Sequence, residues 1–273
     1  MHDADRLRGL LVAPQGPLAR LSVVDEVGST NTALAEELRA DPSSWPDPGL
    51  LVAERQTAGR GRAGRTWEAP PGTSVTGTFV VRPGLPAGAM GWIPLLAGLG
   101  VVTALRATAG VPAALKWPND VVVDLGGPAV EQWGTWRKLG GILTEVVGPA
   151  VLVGIGVNVR QRREELPVPW ATSLSLAGAR HPDRESVLVA VVTALADVAS
   201  RFVAAGGDAV AAGLADEVAS VCMTLGRAVH VELPGGSTLD GRAERLDPSG
   251  ALVVRTDDGE KTVLAGDVLL VRG

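Results

Sequence analysis

The sequence predicts an α+β protein in which a large mixed domain precedes a small all-β domain. Strand-like and helix-like segments follow one another without regular alternation over residues 1–222, which favours a central mixed sheet with helices over a doubly wound parallel fold. Beyond residue 222, short β-type runs recur at regular spacing between Pro- and Gly-containing turns, a pattern typical of a small barrel. We therefore expect two domains, at residues 1–222 and 223–273.

The helices of the large domain are predicted from apolar spacing and from signals at their ends. Residues 32–40 carry leucines four apart and follow a Ser-Thr-Asn run whose side chains can cap a helix. Residues 93–109 have Pro94 in their first turn and Gly110 just beyond their end. Residues 184–205 form a long apolar helix that ends at two glycines, and a further helix follows it.

The strands are predicted from runs rich in β-branched residues, several of which alternate between apolar and polar positions. In the large domain these runs cover residues 18–27, 50–55, 74–82, 114–124, 138–147 and 150–159. In the small domain they cover residues 227–232, 238–245, 252–256, 261–264 and 268–271.

The composition is that of a globular protein with 46% hydrophobic residues, a net charge of −5 and a pI of about 5.3. The single cysteine, Cys222, excludes an internal disulfide framework and a cysteine-based metal cluster. The charge pattern predicts neither a membrane span nor a secretory signal, so we expect a cytoplasmic protein without a membrane partner. Lysine occurs only at Lys116, Lys138 and Lys261. In a chain that otherwise uses arginine, a lysine indicates a position where a compact ammonium group is required.

Residues 56–67, Gln-Thr-Ala-Gly-Arg-Gly-Arg-Ala-Gly-Arg-Thr-Trp, place three arginines and three glycines between two predicted strands. Glycine lets the backbone approach a ligand closely, and arginine brings a permanent forked cation that suits phosphate or carboxylate. We call this segment the Gly/Arg loop and interpret it as a lid over an anionic ligand. A plain surface loop and a nucleic-acid-binding segment are the alternatives, whereas the lack of a Gly-Lys-Ser/Thr ending excludes a P-loop.

Two further motifs bring lysines to the ends of strands. Residues 116–120, Lys-Trp-Pro-Asn-Asp, form a bend that is dense in functional groups, although a tight turn alone also explains Pro-Asn-Asp. Within it, Asp120 is a candidate oxygen ligand for hydrated Mg²⁺. Residues 138–143 begin with Lys138 and carry two glycines inside a strand, which indicates close approach of another backbone or of a ligand.

Gly154, Gly156 and Asn158 share one face of a predicted strand because side chains alternate with a period of two. A face reduced to hydrogen atoms can hold a flat ligand against the sheet. Packing of two backbones is the alternative interpretation.

Taken in chain order, these motifs resemble the biotin–protein ligases. The matching pieces are Ser29-Thr30-Asn31, the Gly/Arg loop, residues 116–120, residues 138–143 and Gly154-x-Gly156-x-Asn158. The resemblance runs from about residue 20 to residue 273. It implies a central mixed sheet of the class II synthetase/biotin ligase type and a C-terminal barrel of the SH3-like type.

The resemblance also implies a two-step reaction with biotin as substrate and with ATP and Mg²⁺ as co-substrates. The biotin carboxylate attacks the α-phosphate of ATP and releases pyrophosphate. The resulting biotinyl-5'-AMP is attacked by one lysine amine of a biotin carboxyl carrier domain, the implied partner. No tightly bound prosthetic group is expected.

Cationic and polar residues at the matching positions take the roles that the resemblance implies, because two anions must be neutralised and oriented before they react. The expected catalytic residues are Arg60, Arg62, Lys138 and Lys116. The expected biotin-binding residues are Ser29, Thr30, Asn31, Gln56, Gly59, Arg60, Gly61, Arg62, Lys138, Gly154 and Gly156. The expected ATP-binding residues are Arg62, Arg65, Trp67, Lys116, Asn119 and Asn158, with Asp120 as the expected contact for Mg²⁺.

Two features depart from the family pattern. Fewer than 20 residues precede the first predicted strand, too few for the three-helix DNA-binding module of the family's repressors, so we expect a ligase-only form that does not bind DNA. Residues 126–137, with two tryptophans, have no counterpart among the motifs and are interpreted as a surface hairpin. A lipoate or octanoate ligase or transferase and a nucleic-acid-binding module are the alternative functions; the Gly/Arg loop with the C-terminal barrel favours biotin, and the acidic pI disfavours nucleic acid.

Overall fold

The computed structural model describes residues 2–270 and contains two β-sheets. The first sheet has seven strands in the order β1-β2-β3-β7-β6-β5-β4, and only its β1–β2 pair is parallel. Its strands are β1 Arg20–Val27, β2 Gly49–Gln56, β3 Ser74–Val81, β4 Ala113–Lys116, β5 Asp120–Asp124, β6 Trp136–Val147 and β7 Ala150–Asn158. This mixed sheet confirms the expected fold class of the large domain.

The second sheet is antiparallel throughout, has the order β11-β10-β9-β8-β12 and is consistent with the expected SH3-like barrel. Its strands are β8 Ala228–Glu232, β9 Thr238–Leu246, β10 Leu252–Thr256, β11 Gly259–Val263 and β12 Asp267–Leu270. The last helix of the first domain ends at Val221, close to the boundary predicted at residue 222, which stays a prediction.

The helices begin and end where the sequence supplies capping groups. They are α1 Ala4–Leu11, α2 Thr30–Ala40, α3 Ile93–Ala109, α4 Arg184–Ala204 and α5 Leu214–Val221. The side chains of Ser29 and Asp183 accept from the main-chain N–H groups of the first turns of α2 and α4. Gly110 ends α3 in the left-handed conformation, with φ of 64°, so the predicted helix at residues 93–109 is confirmed at both ends.

The seven-stranded sheet is covered differently on its two faces. Leu50 and Val52 of β2 pack in the main core with α3, α4 and α5, whereas Leu51 between them packs against α2. Leu152 of β7 also packs on the α2 side, so Gly154, two residues further along the strand, faces the same side. Helix α2 covers only part of this face, and an open cleft lies beside its first turn.

Two segments of the described chain are long and apolar enough to cross a membrane by length and composition, which the charge pattern does not predict. They are Ala87–Ala109 and Arg184–Ala204, with mean hydropathies of 1.7 and 2.0. Both contribute to the main core, and Gly100 of α3 approaches Leu195 of α4 so closely that a Cβ there would lie 2.9 Å from Leu195 Cδ2. Their apolar surface therefore serves helix and sheet packing, and the expected lack of a membrane partner stays a prediction.

The β-type run at residues 114–124 is a pair of antiparallel strands, β4 and β5, joined by the bend predicted at residues 116–120. One helix is not predicted from the sequence. Helix α1 lies where no element is predicted, since its exposed charged residues mask the apolar pair Leu7 and Leu11, which are 0% and 1% exposed.

The small domain docks on the large one through a turn at residues 247–250. Trp92 Nε1 donates to Pro248 O at 2.9 Å, and Trp117 Nε1 donates to Gly250 O at 3.2 Å. Gly91, beside Trp92, has no room for a side chain, because a Cβ there would clash with the carbonyl oxygen of Ser249. This junction fixes the small domain at one end of the cleft.

We expect Gly91→Ala to lower the free energy of unfolding by about 1–3 kcal/mol, because the added methyl group must push the docking turn away. Gly88→Ala is the matched control: Gly88 lies in the same short 3-10 helix, Ala87–Trp92, and nothing lies within 4 Å of an added Cβ. That control should change stability by less than about 1 kcal/mol. Urea unfolding checks both variants, and equal stability of the two would contradict the proposed close contact.

Candidate active site

A cleft of about 660 Å³ opens on the α2 face of the seven-stranded sheet. It brings together every predicted site residue except Gly59. Gly59 is buried instead, and a Cβ there would clash with the carbonyl oxygen of Trp67, so this glycine allows two strands of the Gly/Arg loop to meet. The small domain contributes part of the wall, through residues Glu232, Asp267, Val268 and Leu269.

One end of the cleft is a polar pocket built on the first turn of α2. Gln56 Oε1 accepts from the main-chain N–H of Thr30 at 2.8 Å and from its hydroxyl at 3.1 Å. The Thr78 hydroxyl lies 2.7 Å from Thr30 Oγ1 and 2.6 Å from Asn31 Oδ1. Ser29 caps the helix beside them. The predicted Ser-Thr-Asn run and Gln56 thus form one hydrogen-bonded group.

Asn31 is held at both ends of its side-chain amide, and it is 3% exposed. Its Nδ2 donates to Glu145 Oε2 at 2.8 Å and to Leu143 O at 3.3 Å. A Cβ on Gly154 would clash with Asn31 Oδ1, so the glycine makes room for the asparagine amide. The side chain of Asn31 thus covers the surface of β7 at Gly154.

The Gly/Arg loop folds back on itself as a small hairpin over the cleft. Trp67 N–H donates to Gly59 O at 2.9 Å, and Gly61 N–H donates to Arg65 O at 2.7 Å. The tip is a short 3-10 turn, Arg62–Gly64, in which Ala63 has a φ of 52°. The indole of Trp67 lies so close to the sheet that a Cβ on Gly156 would lie 2.5 Å from its Cε2.

Each arginine of the loop contacts a different structural element. Arg60 Nη1 donates to Glu145 Oε1 on β6 at 3.0 Å. Arg62 Nη1 donates to Asn119 Oδ1, in the turn between β4 and β5, at 2.9 Å.

The third arginine, Arg65, forms an ion pair with Asp267 at the start of β12 in the small domain. The loop is therefore attached at three points around the cleft, one of them on the second domain.

Two lysines share one carboxylate at the other end of the cleft. Lys138 Nζ lies 2.6 Å from Asp120 Oδ1, and Lys116 Nζ lies 3.9 Å from Asp120 Oδ2. Burial opposes ionisation of Asp120, but the two ammonium groups outweigh it and hold the pKa of this carboxyl below its ordinary value. Burial lowers the pKa of Lys116 to about 8, against the opposing attraction of Asp120.

The chain offers few further ligands for a metal at this cluster. Over residues 2–270 no group of three or more His, Cys, Asp or Glu side chains has the arrangement of a metal site. Asp120 is one carboxylate whose oxygens already face two cations, so it fits a hydrated magnesium ion only as a minor contact beside phosphate oxygens.

Asn158, expected at the nucleotide, has both ends of its amide engaged. Its Nδ2 donates to Thr172 O at 3.0 Å, and its Oδ1 accepts from Gln161 Nε2 at 2.8 Å. One N–H and one lone pair of the amide are not used by these two bonds. The side chain lines the cleft and is 5% exposed.

The tryptophan-containing segment at residues 126–137 closes the lysine end of the cleft. Trp133 stacks with Trp170 at a centroid distance of 6.2 Å and an interplanar angle of 8°. Lys116 Nζ lies 4.8 Å from the centre of the Trp133 ring, within the range of a cation–π contact. Gln132 O accepts from the main-chain N–H of Leu270, so the segment also joins the two domains.

Four residues in these contacts are not predicted from the sequence. Trp170 and Asp267 line the cleft, whereas Thr78 and Glu145 lie behind it and hold residues that line it. Glu145 could have been found, because it shares a face of β6 with Gly141 and Leu143 by the period of two. Thr78, Trp170 and Asp267 lie in no sequence motif that would indicate a functional site.

The comparisons with known proteins agree with this geometry. The profile described as the Biotin/lipoate A/B protein ligase family matches residues 23–161, and the Biotin protein ligase C terminal domain matches residues 224–271. The biotin--[acetyl-CoA-carboxylase] ligase of Mycobacterium tuberculosis is 37% identical over 99% of this chain and 96% of its own length. The bifunctional ligase/repressor BirA of Bacillus spizizenii is 29% identical over 91% of this chain and 73% of its own length.

Among solved structures, the biotin protein ligase from Aquifex aeolicus in complex with biotin and ATP superposes with a TM-score of 0.72 at 29% sequence identity. The superposition covers 93% of this chain and 99% of that one. Both matched domain profiles, the full-length relative and the shared fold lead to the same assignment: the chain belongs to the biotin protein ligase family.

Proposed function

We propose that this protein joins biotin to ATP as biotinyl-5'-AMP and then transfers the biotinyl group to a lysine of a biotin carboxyl carrier domain. The observation that carries the proposal is the convergence of five cations on one cleft that has a polar pocket at one end. These cations are Arg60, Arg62, Arg65, Lys116 and Lys138.

The cations answer the main physical difficulty of the first step. A carboxylate and a triphosphate repel each other, so a catalyst must neutralise and orient both before a bond forms. Asp120 holds Lys138 Nζ at 2.6 Å in the cleft. We assign this ammonium group to the biotin carboxylate or the α-phosphate. We assign Arg62 to the same anions and Arg65 with Lys116 to the outer phosphates.

The polar pocket suits the ureido ring of biotin, which needs hydrogen-bond donors and acceptors together. Ser29, Thr30, Asn31 and Gln56 supply them from the first turn of α2 and the end of β2. Gly154 and Gly156 act here by admitting Asn31 and Trp67 to the sheet surface. Biotin then contacts these two side chains, and the apolar part of its tail lies by the indole.

The nucleotide lies toward the lysine end of the cleft in this proposal. Trp67 borders both ligands, because the part of its indole that the biotin tail leaves free faces adenine. Asn158 and Asn119 offer amide groups to the ribose or the base edge. Asp120 would be the protein carboxylate available to a magnesium ion bound to the phosphates of ATP, where the ion would supply charge neutralisation.

The partner in the second step is proposed from the names of the relatives. Two curated relatives, from Mycobacterium tuberculosis and Paracoccus denitrificans, are named as ligases for acetyl-CoA carboxylase. A biotin-dependent carboxylase with a carrier domain is accordingly the expected acceptor. Lack of DNA binding and a location in the cytosol stay predictions.

The alternative functions are disfavoured by specific observations. The match of the C-terminal domain to that of biotin protein ligases favours biotin over lipoate or octanoate. Arg60 and Arg65 are paired with carboxylates of the protein itself, and this weakens the positive field that a nucleic-acid-binding loop needs.

The function is tested by incubating the full chain with biotin, ATP labelled in its β- and γ-phosphates, and a carrier domain. We expect label in pyrophosphate only when biotin is present, and biotin on the carrier lysine by mass spectrometry. Replacing biotin with lipoate or octanoate should give neither product. Pyrophosphate release that is indifferent to biotin, or equal with lipoate, would refute the proposal.

Lys138→Gln should slow biotin-dependent ATP–pyrophosphate exchange by about 10²–10³-fold, because a preorganised cation is lost from the forming bond. Glutamine keeps a polar contact with Asp120, so the fold should persist. Lys261→Gln, which changes an exposed lysine on β11, is the control and should exchange at the normal rate. Exchange that survives in the Lys138 variant would remove this lysine from the reaction.

The kcat/KM for MgATP should fall about tenfold per pH unit above about pH 8, because Lys116 loses its proton as the pH rises through its pKa of about 8. The charges around it are those of Asp120, Lys138, Arg65 and Arg62. Bound phosphates raise the pKa of this lysine, so kcat should decline less. Lys116→Met should show a low, flat profile, and a wild-type profile that is flat to pH 9.5 would contradict the role of Lys116.

Arg62→Ala should release biotinyl-5'-AMP about tenfold faster or more, because a charge-assisted contact to the adenylate is lost. Release is measured by rapid filtration of enzyme loaded with labelled adenylate. Arg55→Ala is the control, since Arg55 pairs with Glu26 on β1 outside the cleft. The same release rate for both variants would place Arg62 away from the adenylate.

A further inference from the structure

We propose that Glu145 is a positioning residue that couples the closed Gly/Arg loop to the biotin pocket. The inference rests on the proposed function of the cleft. One oxygen of this carboxylate, Oε2, accepts from Asn31 Nδ2 at 2.8 Å. The other, Oε1, accepts from Arg60 Nη1 at 3.0 Å. A single side chain thus touches one residue of the pocket and one of the loop.

On the pocket side, Glu145 sets the direction in which the Asn31 amide faces. An asparagine side chain presents two N–H donors and one carbonyl, and its neighbours decide which end points where. Glu145 and Leu143 O take the two donors, and the Thr78 hydroxyl lies 2.6 Å from the carbonyl oxygen. Because Thr78 also contacts Thr30, this orientation extends to the groups assigned to the ureido ring.

On the loop side, the ion pair is suited to opening and closing. The side chains of Arg60 and Glu145 are 51% and 27% exposed, and ion pairs of this kind shift an equilibrium by about fivefold at most. Such a contact biases the loop toward the closed position without locking it. Arg62 and Arg65 instead contact Asn119 and Asp267, which lie at the nucleotide end and in the small domain.

Through these two contacts, Glu145 connects the Gly/Arg loop to the pocket. A closed loop places Arg60 on a carboxylate that also holds Asn31 in the orientation needed for biotin. Loss of the loop contact alone should therefore free the adenylate, whereas loss of both contacts should in addition weaken biotin binding.

Glu145→Gln and Glu145→Ala separate the two contacts. The glutamine oxygen can still accept from Asn31, while its amide cannot pair with Arg60. We expect this variant to be cleaved by trypsin within the loop about two- to fivefold faster, to release adenylate faster by a similar factor, and to keep its KM for biotin. The alanine variant should show the same loop effects and raise the KM for biotin about tenfold, with the KM for ATP unchanged.

Glu26→Gln is the matched control, because Glu26 forms a comparable ion pair with Arg55, at 2.9 Å, on the neighbouring strands β1 and β2. It should behave as the unsubstituted chain in all four measurements. Arg60→Ala combined with Glu145→Gln should release adenylate no faster than either single variant, because both changes break the same contact between Arg60 and Glu145. Additive effects in that double variant would overturn the coupling.

Three other outcomes also overturn the inference. The first is that both Glu145 variants keep the wild-type rate of loop cleavage and the wild-type KM for biotin. The second is that the alanine variant raises the KM values for biotin and ATP equally. The third is that the glutamine variant unfolds at the assay temperature. Failure of the unsubstituted chain to biotinylate a carrier is a separate result. It would remove the proposed function and this inference with it.

Discussion

The site depends on holding like charges close together around one buried carboxylate. Lys116 and Lys138 both face the carboxylate of Asp120, and the lowered pKa of Lys116 shows the cost of burying an ammonium group. Strand pairing places the three residues: Lys116 lies opposite Asp120 across β4 and β5, and Val122 lies opposite Lys138 across β5 and β6. The cluster is therefore built by the sheet itself and needs no ligand to form.

The arginines of the Gly/Arg loop provide a second kind of positive charge. Each is paired with a group on another element, and the exposed pair between Arg60 and Glu145 contributes only about 0–1 kcal/mol. Incoming phosphate or carboxylate groups can replace such partners at little cost. The cleft therefore combines fixed lysines, which are preorganised by the sheet, with arginines that can exchange protein partners for ligand.

The sequence predicts what is local and misses what depends on distant partners. The helix at residues 93–109 and the lysine motifs at strand ends carry their signals within a few residues, and the structure places them as expected. The partners of the loop lie far along the chain: Arg60 and Glu145 are 85 residues apart, and Arg65 and Asp267 are 202 apart. No spacing rule connects such pairs, because the tertiary fold alone brings them together. The bend at residues 116–120 is equally local, because its Pro-Asn-Asp run signals the turn that joins β4 to β5.

The glycines of β7 show how the backbone orders the chemistry of the cleft. The Asn31 amide lies over Gly154, and the Trp67 indole lies over Gly156, about 7 Å further along the strand. Gly156 pairs with Gly141 of β6, and a Cβ on Gly141 would lie 3.2 Å from Lys138 Nζ. The cleft therefore changes from polar to apolar along β7 and becomes cationic on the neighbouring strand, β6. Biotin has the complementary order, with a ureido ring, an apolar tail and a terminal carboxylate, and this match supports an orientation in which the acid group meets Lys138.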